Sequence, residues 1–517
     1  MNLLTDPLFP ILTDHEERQL VDLPTLLGVY ANDLVIDLPF LRPHQRAPWH
    51  SFCVHLAALA LHRAECDEVV IDPQTWRELL RRLTPEWPGD EPWRLVVEDV
   101  NKPAFMQPPV PLGGGDPHRT PIGAADDLDV LVTAKNHGVK QGIGTDASPA
   151  AWVAALVLLQ TTGGFLGAGN YGIARMNGGF ATRPWAGLVP PGGPGAHWRR
   201  DVTVLLRRRD WFFERVEAFA EADGAALLWC LPWDGERSLG FDQLDPWFIE
   251  IGRRVRLYRD EAGSITARSV GSSAARVAAK SYKGNVGDPW IPINLEKESA
   301  AYNTAPRYAV MSAVLFERDR WLRPLLLDWH PEIDGAPMTA RFNVFVRGQG
   351  KTEGYHERAV PMNARRLRLF ARPEDRDRLA QLAKGMIQDV RAVLGGKMLR
   401  TALLSLVQGG PDQVKFGDRT GGIWAEKFLD EADREVDRNF FDHLFTCAED
   451  EDAGRGHWLE VLRDLARTTF ERAVEAAPLA GARRPRAIAV AERILWGAFY
   501  RTFPELRPAR EETVDAA

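Results

Sequence analysis

The stretch Gly163-Gly-Phe-Leu-Gly-Ala-Gly-Asn-Tyr-Gly172 contains, from Gly167 to Gly172, a full match to the G-x-G-x-x-G pattern that cradles a dinucleotide pyrophosphate. Its reading decides between a doubly wound nucleotide-binding sheet and another architecture. The pattern carries that chemistry only when a strand feeds the glycines, a helix starts from them and an acidic residue follows about 20 positions later. Upstream, Ser148-Pro149 followed by an Ala- and Leu-rich run to Gln160 reads as an N-cap, a first-turn proline and a helix. Downstream, Ile173-Ala-Arg-Met-Asn-Gly-Gly179 breaks early, and the region where the acidic partner belongs reads Pro190-Pro-Gly-Gly-Pro-Gly195. None of the three conditions is met. The glycines are therefore read as backbone that needs positive-φ or side-chain-free positions, either a plain irregular loop or a surface that another molecule approaches closely.

Working outward, 517 residues are too many for one core, so two or more domains are expected. Apolar content of 45% and charged content of 26% are those of an ordinary soluble globular chain. A formal charge of -7 argues against an autonomous nucleic-acid coat while leaving room for local basic surfaces. The four cysteines form no C-x-x-C pair, so neither a disulfide framework nor a structural zinc site is indicated and a reducing cytoplasm is expected. The start has no basic segment followed by an apolar one, and no run is long enough to span a bilayer, so secretion and membrane insertion are not expected. Trp185, Trp233, Trp247 and Trp290 sit beside Pro, Asp or Arg and read as edges of the core rather than stacking platforms.

To about residue 360 the texture is mixed, with short apolar runs such as Leu34-Val-Ile-Asp-Leu-Pro39 and Val202-Thr-Val-Leu-Leu206 broken by Gly and Pro. Beyond it, four segments show helical spacing: 373–408, bent at Gly395-Gly396, then 422–448, 454–476 and 485–503. Phe428, Ala432, Val436, Phe440 and Leu444 make one face of the second segment, and Ile488, Ala491, Leu495, Ala498 and Phe499 a stripe on the fourth. The expected fold is α+β: a large mixed N-terminal domain over 1–365, then a C-terminal four-helix bundle over 366–517.

No nucleophile elbow, H-E-x-x-H or paired acid motif is present, so no catalytic residue is assigned, no metal site is expected and no cofactor is implied. His44, His50 and His55 are poorly spaced for one helical face and read as structural. Asp126-Asp127-Leu-Asp129 reads as a solvated turn. Several segments suit nucleic acid better. Thr133-Ala-Lys-Asn-His-Gly-Val-Lys-Gln-Gly142 is basic and rich in hydrogen-bonding groups. Arg199-Arg200, Arg207-Arg-Arg209, Lys280 and Lys283 add positive charge, and Gln349 stands between two glycines beside Arg347 and Lys351.

In order along the chain, Met1-Asn-Leu-Leu-Thr-Asp-Pro-Leu-Phe-Pro10, Pro103-Ala-Phe-Met-Gln107, the Thr133 loop, the glycine-rich stretch ending in Asn177-Gly-Gly179, and Gln349-Gly-Lys-Thr-Glu-Gly354 before a helical C-terminus resemble the large subunit of the type I-E CRISPR surveillance complex, the CasA family of Cascade. The resemblance spreads over most of the chain. A C-x-x-C pair carried by some relatives is missing, so no zinc is carried over.

The resemblance implies a non-enzymatic, cytoplasmic subunit of an RNA-guided assembly. Its implied partners are CRISPR guide RNA, double-stranded target DNA, other Cascade subunits and a helicase-nuclease effector, with no membrane. Its implied task is to recognise the protospacer-adjacent motif on duplex DNA, promote strand separation and R-loop formation, and help recruit the nuclease. The family's glutamine wedge falls on Gln349, its glycine loop on Gly167, Ala168, Gly169 and Asn170, and its groove lysine on Lys280 or Lys283, with Lys351 beside the wedge. The loop that meets the guide RNA falls on Lys135, Asn136 and His137. Slender elements suit a narrow minor groove. Two other readings stand beside this one: an RNA-contacting scaffold subunit without duplex readout, and a nucleotide-dependent enzyme that uses the glycines.

Overall fold

The computed structural model describes residues 1–15, 17–130, 148–163, 169, 171–176, 183–300, 304–348, 351–396, 398–479 and 481–507, without the side chains of residues 347, 348 and 351–353. The chain divides into two compact units. One comprises Met1–Pro306 and Arg318–Ala371, the other Arg307–Glu317 and Arg372–Ala517.

The first unit opens with β1 (Phe9–Thr13), β2 (Arg18–Val21), α1 (Leu23–Ala31), β3 (Val35–Asp37), α2 (Pro43–Arg63), α3 (Pro73–Arg82), β4 (Thr120–Ile122) and α4 (Pro149–Thr161). It continues through β5 (Trp185–Val189), α5 (Pro194–Arg207), α6 (Asp210–Arg215), β6 (Ala225–Leu227), β7 (Leu244–Ile249), β8 (Arg254–Arg259), β9 (Ile265–Val270), β10 (Ile293–Asn294) and β11 (Ser299–Ala300). After α7 (Tyr308–Phe316), which belongs to the second unit, come β12 (Trp321–Leu322), β13 (Met338–Gly348), β14 (Lys351–Met362) and α8 (Ala364–Ala371). The strands form small sheets ordered β2-β1-β3, β4-β9-β8, β11-β10-β12 and β14-β13-β5, all antiparallel, together with the parallel pair β6-β7. No single sheet organises the unit; the helices do.

Helix α2 shows why. From Ser51 to Leu61 every residue is buried, which is the signature of a helix enclosed on all sides rather than lying on a surface. α4 is equally enclosed from Trp152 to Thr161, and it starts as its sequence predicts, with the Ser148 hydroxyl accepting from the Ala151 amide at 3.2 Å and Pro149 in the first turn. The run Val202–Leu206 lies inside α5. That helix begins at Gly193-Pro194 without a capping side chain of its own. Asp33 supplies one from across the fold, accepting from the amides of Gly193 at 3.2 Å and Ala196 at 2.7 Å. Trp233 and Trp290 are buried, as are Trp185 and Trp247.

One expectation is corrected. Asp126 and Asp129 are not in a solvated turn: both are buried, Asp126 against Arg42 at 2.5 Å and Asp129 against His44 at 2.6 Å. Short-range pattern could not show this, because Arg42 and His44 lie about 85 residues upstream.

The second unit contains α7, α9 (Pro373–Leu394), α10 (Leu399–Val407), α11 (Arg419–Glu449), α12 (Glu451–Ala476) and α13 (Arg484–Thr502). The segment expected over 373–408 is thus two helices that part at Gly395, and α7 joins them from outside the C-terminal region. On α11, Ala432, Val436, Phe440 and Leu444 are buried together with Phe441 and Phe445. Asp418 and Asp450 cap α11 and α12 through their carboxylates.

Candidate nucleic-acid interface

The candidate interface comprises four segments of the first unit: the end of α4, the turn at Gly169, the strip from Gly271 to Lys283, and the β13–β14 hairpin.

At the end of α4 stands Gln160, a side chain with no solvent exposure. Its amide donates to the carbonyls of Met106 at 2.8 Å and Arg253 at 3.0 Å, and accepts from the amides of Gly252 at 2.9 Å and Arg253 at 2.8 Å. Both donors and both lone pairs of the oxygen are thereby used. The Phe105-Met106-Gln107 segment is also buried. Met106 takes φ +58°, and Gln107 donates to the carbonyls of Leu95 and Phe105 while accepting from the Leu257 amide at 2.7 Å. Gln160 therefore ties the end of α4 to the Met106 and Arg253 segments, and the F-M-Q segment is internal.

Gly169 has φ +74°, in the left-handed region that favours glycine. A Cβ there would meet Gly271 Cα at 3.5 Å and the Ser272 backbone at 3.6 Å, ordinary contact, so the backbone conformation is what selects glycine at this position. Its carbonyl accepts from the Ser272 amide at 2.8 Å, and the Tyr171 hydroxyl donates to the Ser273 carbonyl at 2.6 Å. The strip that begins at Gly271 runs on beside the 235–239 loop, with bonds from Ser273 to Gly235 and from Ala278 to Leu239. It ends in a single 3-10 turn at Lys280–Tyr282. Tyr282 seats that turn against Phe241, with ring centroids 4.5 Å apart. Lys280 and Lys283 are both exposed, and neither ammonium meets an ion-pair partner among the described residues. One strip of chain thus touches the glycine turn at its start and presents two free cations at its end.

Arg175 and Arg183 meet on one carboxylate. Asp288 lies 3.1 Å from Arg175 Nε and 2.6 Å from Arg183 Nη2, and all three side chains are buried. Arg175 also packs over the Phe248 ring, 4.1 Å from its centroid, and approaches Glu250 at 3.5 Å. Burial pushes the Glu250 carboxyl up, with Arg175 opposing.

β13 is a central strand. It pairs with β5 over Thr339–Asn343 and with β14 along its whole length, to the rung Gly348–Lys351, with a bulge after Val346. From Phe342 to Val346 its side chains are buried on both faces. Gln349 and Gly350, which join the last rung, lie outside the described residues. So do Gly167, Ala168 and Asn170 of the glycine stretch and Lys135, Asn136 and His137 of the Thr133 loop; of Lys351 the backbone is described. What the structure brings together from the sequence-derived set is Gly169 and the strip carrying Lys280 and Lys283. Sequence reasoning missed the braces, Gln160 and Asp288, for which a lone buried amide or carboxylate leaves no local signal.

No protein-family model matches this chain, and no curated protein matches it by sequence. Solved structures do match. Cse1 from Acidimicrobium ferrooxidans superposes with a TM-score of 0.65 at 16% identity, over 98% of this chain and 99% of that one. CasA from Thermus thermophilus gives 0.64 at 16% identity, over 98% and 100%. A chain of a CRISPR RNA-guided surveillance complex gives 0.60 at 12% identity, over 96% and 99%. Across nearly its whole length the chain therefore has the fold of Cse1/CasA proteins, and the α+β expectation holds.

Proposed function

We propose that this chain is the large, Cse1/CasA-type subunit of a type I-E CRISPR RNA-guided surveillance complex, non-catalytic, and that it reads the protospacer-adjacent motif on duplex DNA. The observation that carries the reading is the likeness of fold over both units, including to a chain of such a complex. A fold alone does not fix a function, so the local geometry matters. In this reading a positive-φ glycine, a strip with two unneutralised lysines and a stiff hairpin supply bare backbone, long cations and a wedge, the elements that fit a narrow minor groove. Gln349, between the paired ends of β13 and β14, is the proposed wedge. Parting a base step costs a few kcal/mol, which contacts to the motif return before the guide pairs with its target. The Lys135–His137 loop is proposed to meet guide RNA, and the second unit to face other subunits and the helicase-nuclease.

The test compares the assembled complex carrying the native chain or Gln349→Ala on a motif-bearing duplex and on the same sequence with the first target base pairs already open. Loss of R-loop formation on the closed duplex with retention on the open one supports a wedge. Equal loss on both refutes it, and equal binding of motif-positive and motif-negative duplexes by the native complex favours a scaffold role.

A further inference from the structure

A second constellation lies away from these segments, on the inner sides of α2 and α5. His197 and Asp201 are one helical turn apart on α5, so both side chains leave the same face. His50 of α2 meets them from across the helix pair. His50 Nε2 lies 2.9 Å and His197 Nε2 3.3 Å from the same oxygen, Asp201 Oδ2, and the ligand atoms of all three residues fall within 4.8 Å of one another. The two imidazoles are stacked, with centroids 3.8 Å apart and planes inclined by 16°.

We propose that His50, His197 and Asp201 bind a divalent transition-metal ion, with Zn²⁺ the best fit to a two-imidazole, one-carboxylate set. Three observations carry this. First, the spacing suits an ion. Two ligand atoms about 2.0–2.2 Å from a metal stand about 2.8–3.6 Å apart for angles between square and tetrahedral, and the two separations to Asp201 fall in that range.

Second, hydrogen bonding accounts for only part of the cluster: His50 Nε2 and Trp290 Nε1 bond Asp201 Oδ2 at 2.9 and 3.3 Å, and His197 is left over. His197 Nε2 is shielded from solvent and makes no hydrogen bond despite its proximity to the carboxylate, so a buried ring nitrogen faces the group without donating to it. Third, the carboxylate is held from behind. Arg200 Nη1 bonds the other oxygen, Asp201 Oδ1, at 3.0 Å. Such support fixes a ligand's orientation before an ion arrives.

His50 and His197 also line a cavity of about 330 Å³ enclosed by α2, α5 and the β5–β13–β14 sheet, whose walls include Arg46, Arg341 and Asn343. Three protein ligands with the remaining position turned toward a cavity is the pattern that accepts water or a small anion as fourth ligand. This inference does not depend on the DNA-reading role.

The test uses the full chain, stripped with a chelator and dialysed. Calorimetry with Zn²⁺ is expected to show one site with a Kd of about 1 μM or tighter, and Co²⁺ to give the visible d–d absorption of a four-coordinate ion. His50→Gln and His197→Gln are each expected to weaken binding by about 100-fold or more with the circular dichroism unchanged. X-ray absorption of the native Co²⁺ form, which needs no variant to fold, is expected to count two imidazoles. Failure of the native chain to bind either ion, fewer than two imidazoles, or variants that bind within about tenfold of the native chain overturns the proposal.

Discussion

Replacing Gln160 by Leu removes the most completely engaged side chain at the base of the glycine-rich stretch. The volume is nearly kept, so no large cavity term enters. What is lost is four hydrogen bonds, leaving the carbonyls of Met106 and Arg253 and the amides of Gly252 and Arg253 without their partner in a site closed to solvent. A buried backbone group left unsatisfied costs about 1–3 kcal/mol. Four of them bound the loss at about 4–12 kcal/mol, and local relaxation that lets one or two find other partners brings the expected value to about 3–5 kcal/mol. Urea unfolding followed by tryptophan fluorescence reads this directly, since Trp152 and Trp229 are buried in the same core. Gln160→Glu separates hydrogen bonding from shape. Its carboxylate can still accept from the two amides but faces two carbonyl oxygens, so it is expected to fall at least as far as Leu. A loss below about 1 kcal/mol for Gln160→Leu would show that the amide does not brace this junction.

Other outcomes follow from the same structure. Asp288→Asn leaves two buried guanidiniums with Glu250 as the other carboxylate beside them among the described residues and is expected to cost about 3–5 kcal/mol in the same unfolding assay; a neutral result would mean that Arg175 and Arg183 are not held by charge. Burial holds the imidazoles of His55, His118 and His330 below their ordinary value. They take up protons at lower pH in the native state than in the unfolded chain, which protonates below about pH 6.5, so the unfolded state binds more protons in that window and stability falls as pH drops through it. Melting temperatures are expected to be flat from pH 8 to 7 and to decline toward pH 5, and a rise on acidification would contradict the sign. The Asp116 carboxyl, which accepts from Tyr258 and His118 and sits at about 2, adds a loss that begins only below about pH 4. In the assembled complex, Lys280→Ala with Lys283→Ala is expected to weaken duplex binding about tenfold and to reduce the slope of log affinity against log salt by one to two; an unchanged slope would place both lysines away from phosphate.

The sequence carried the helices well. Proline and an acceptor side chain mark the start of α4, and the four-residue apolar steps of α11 are the face it buries. Rejection of a nucleotide fold rested on the helix before the glycines, and that helix is there. Legibility ended where partners are distant in sequence. The pairing of Asp129 with His44, the cap that Asp33 gives α5 and the meeting of His50 with Asp201 join residues that only the fold makes neighbours. The partners of His50 lie on α5 and not on its own helix, so they could not be found from its own surroundings. α7 eluded the division at residue 365 for the same reason: its apolar character suits either unit, and tertiary packing alone decides.

The burial of β13 on both faces through Val346 has a mechanical consequence. A hairpin meets an axial thrust at its turn very differently from a sideways pull. Sideways, a ladder peels one rung at a time; along its axis the thrust pushes both strands back together, so the rungs that tie β13 to β5 over Thr339–Asn343 resist together in shear, and the packed side chains of Phe342, Val344 and Phe345 add friction against sliding. For an element proposed to push between bases, the strong direction of the ladder is the direction of the load.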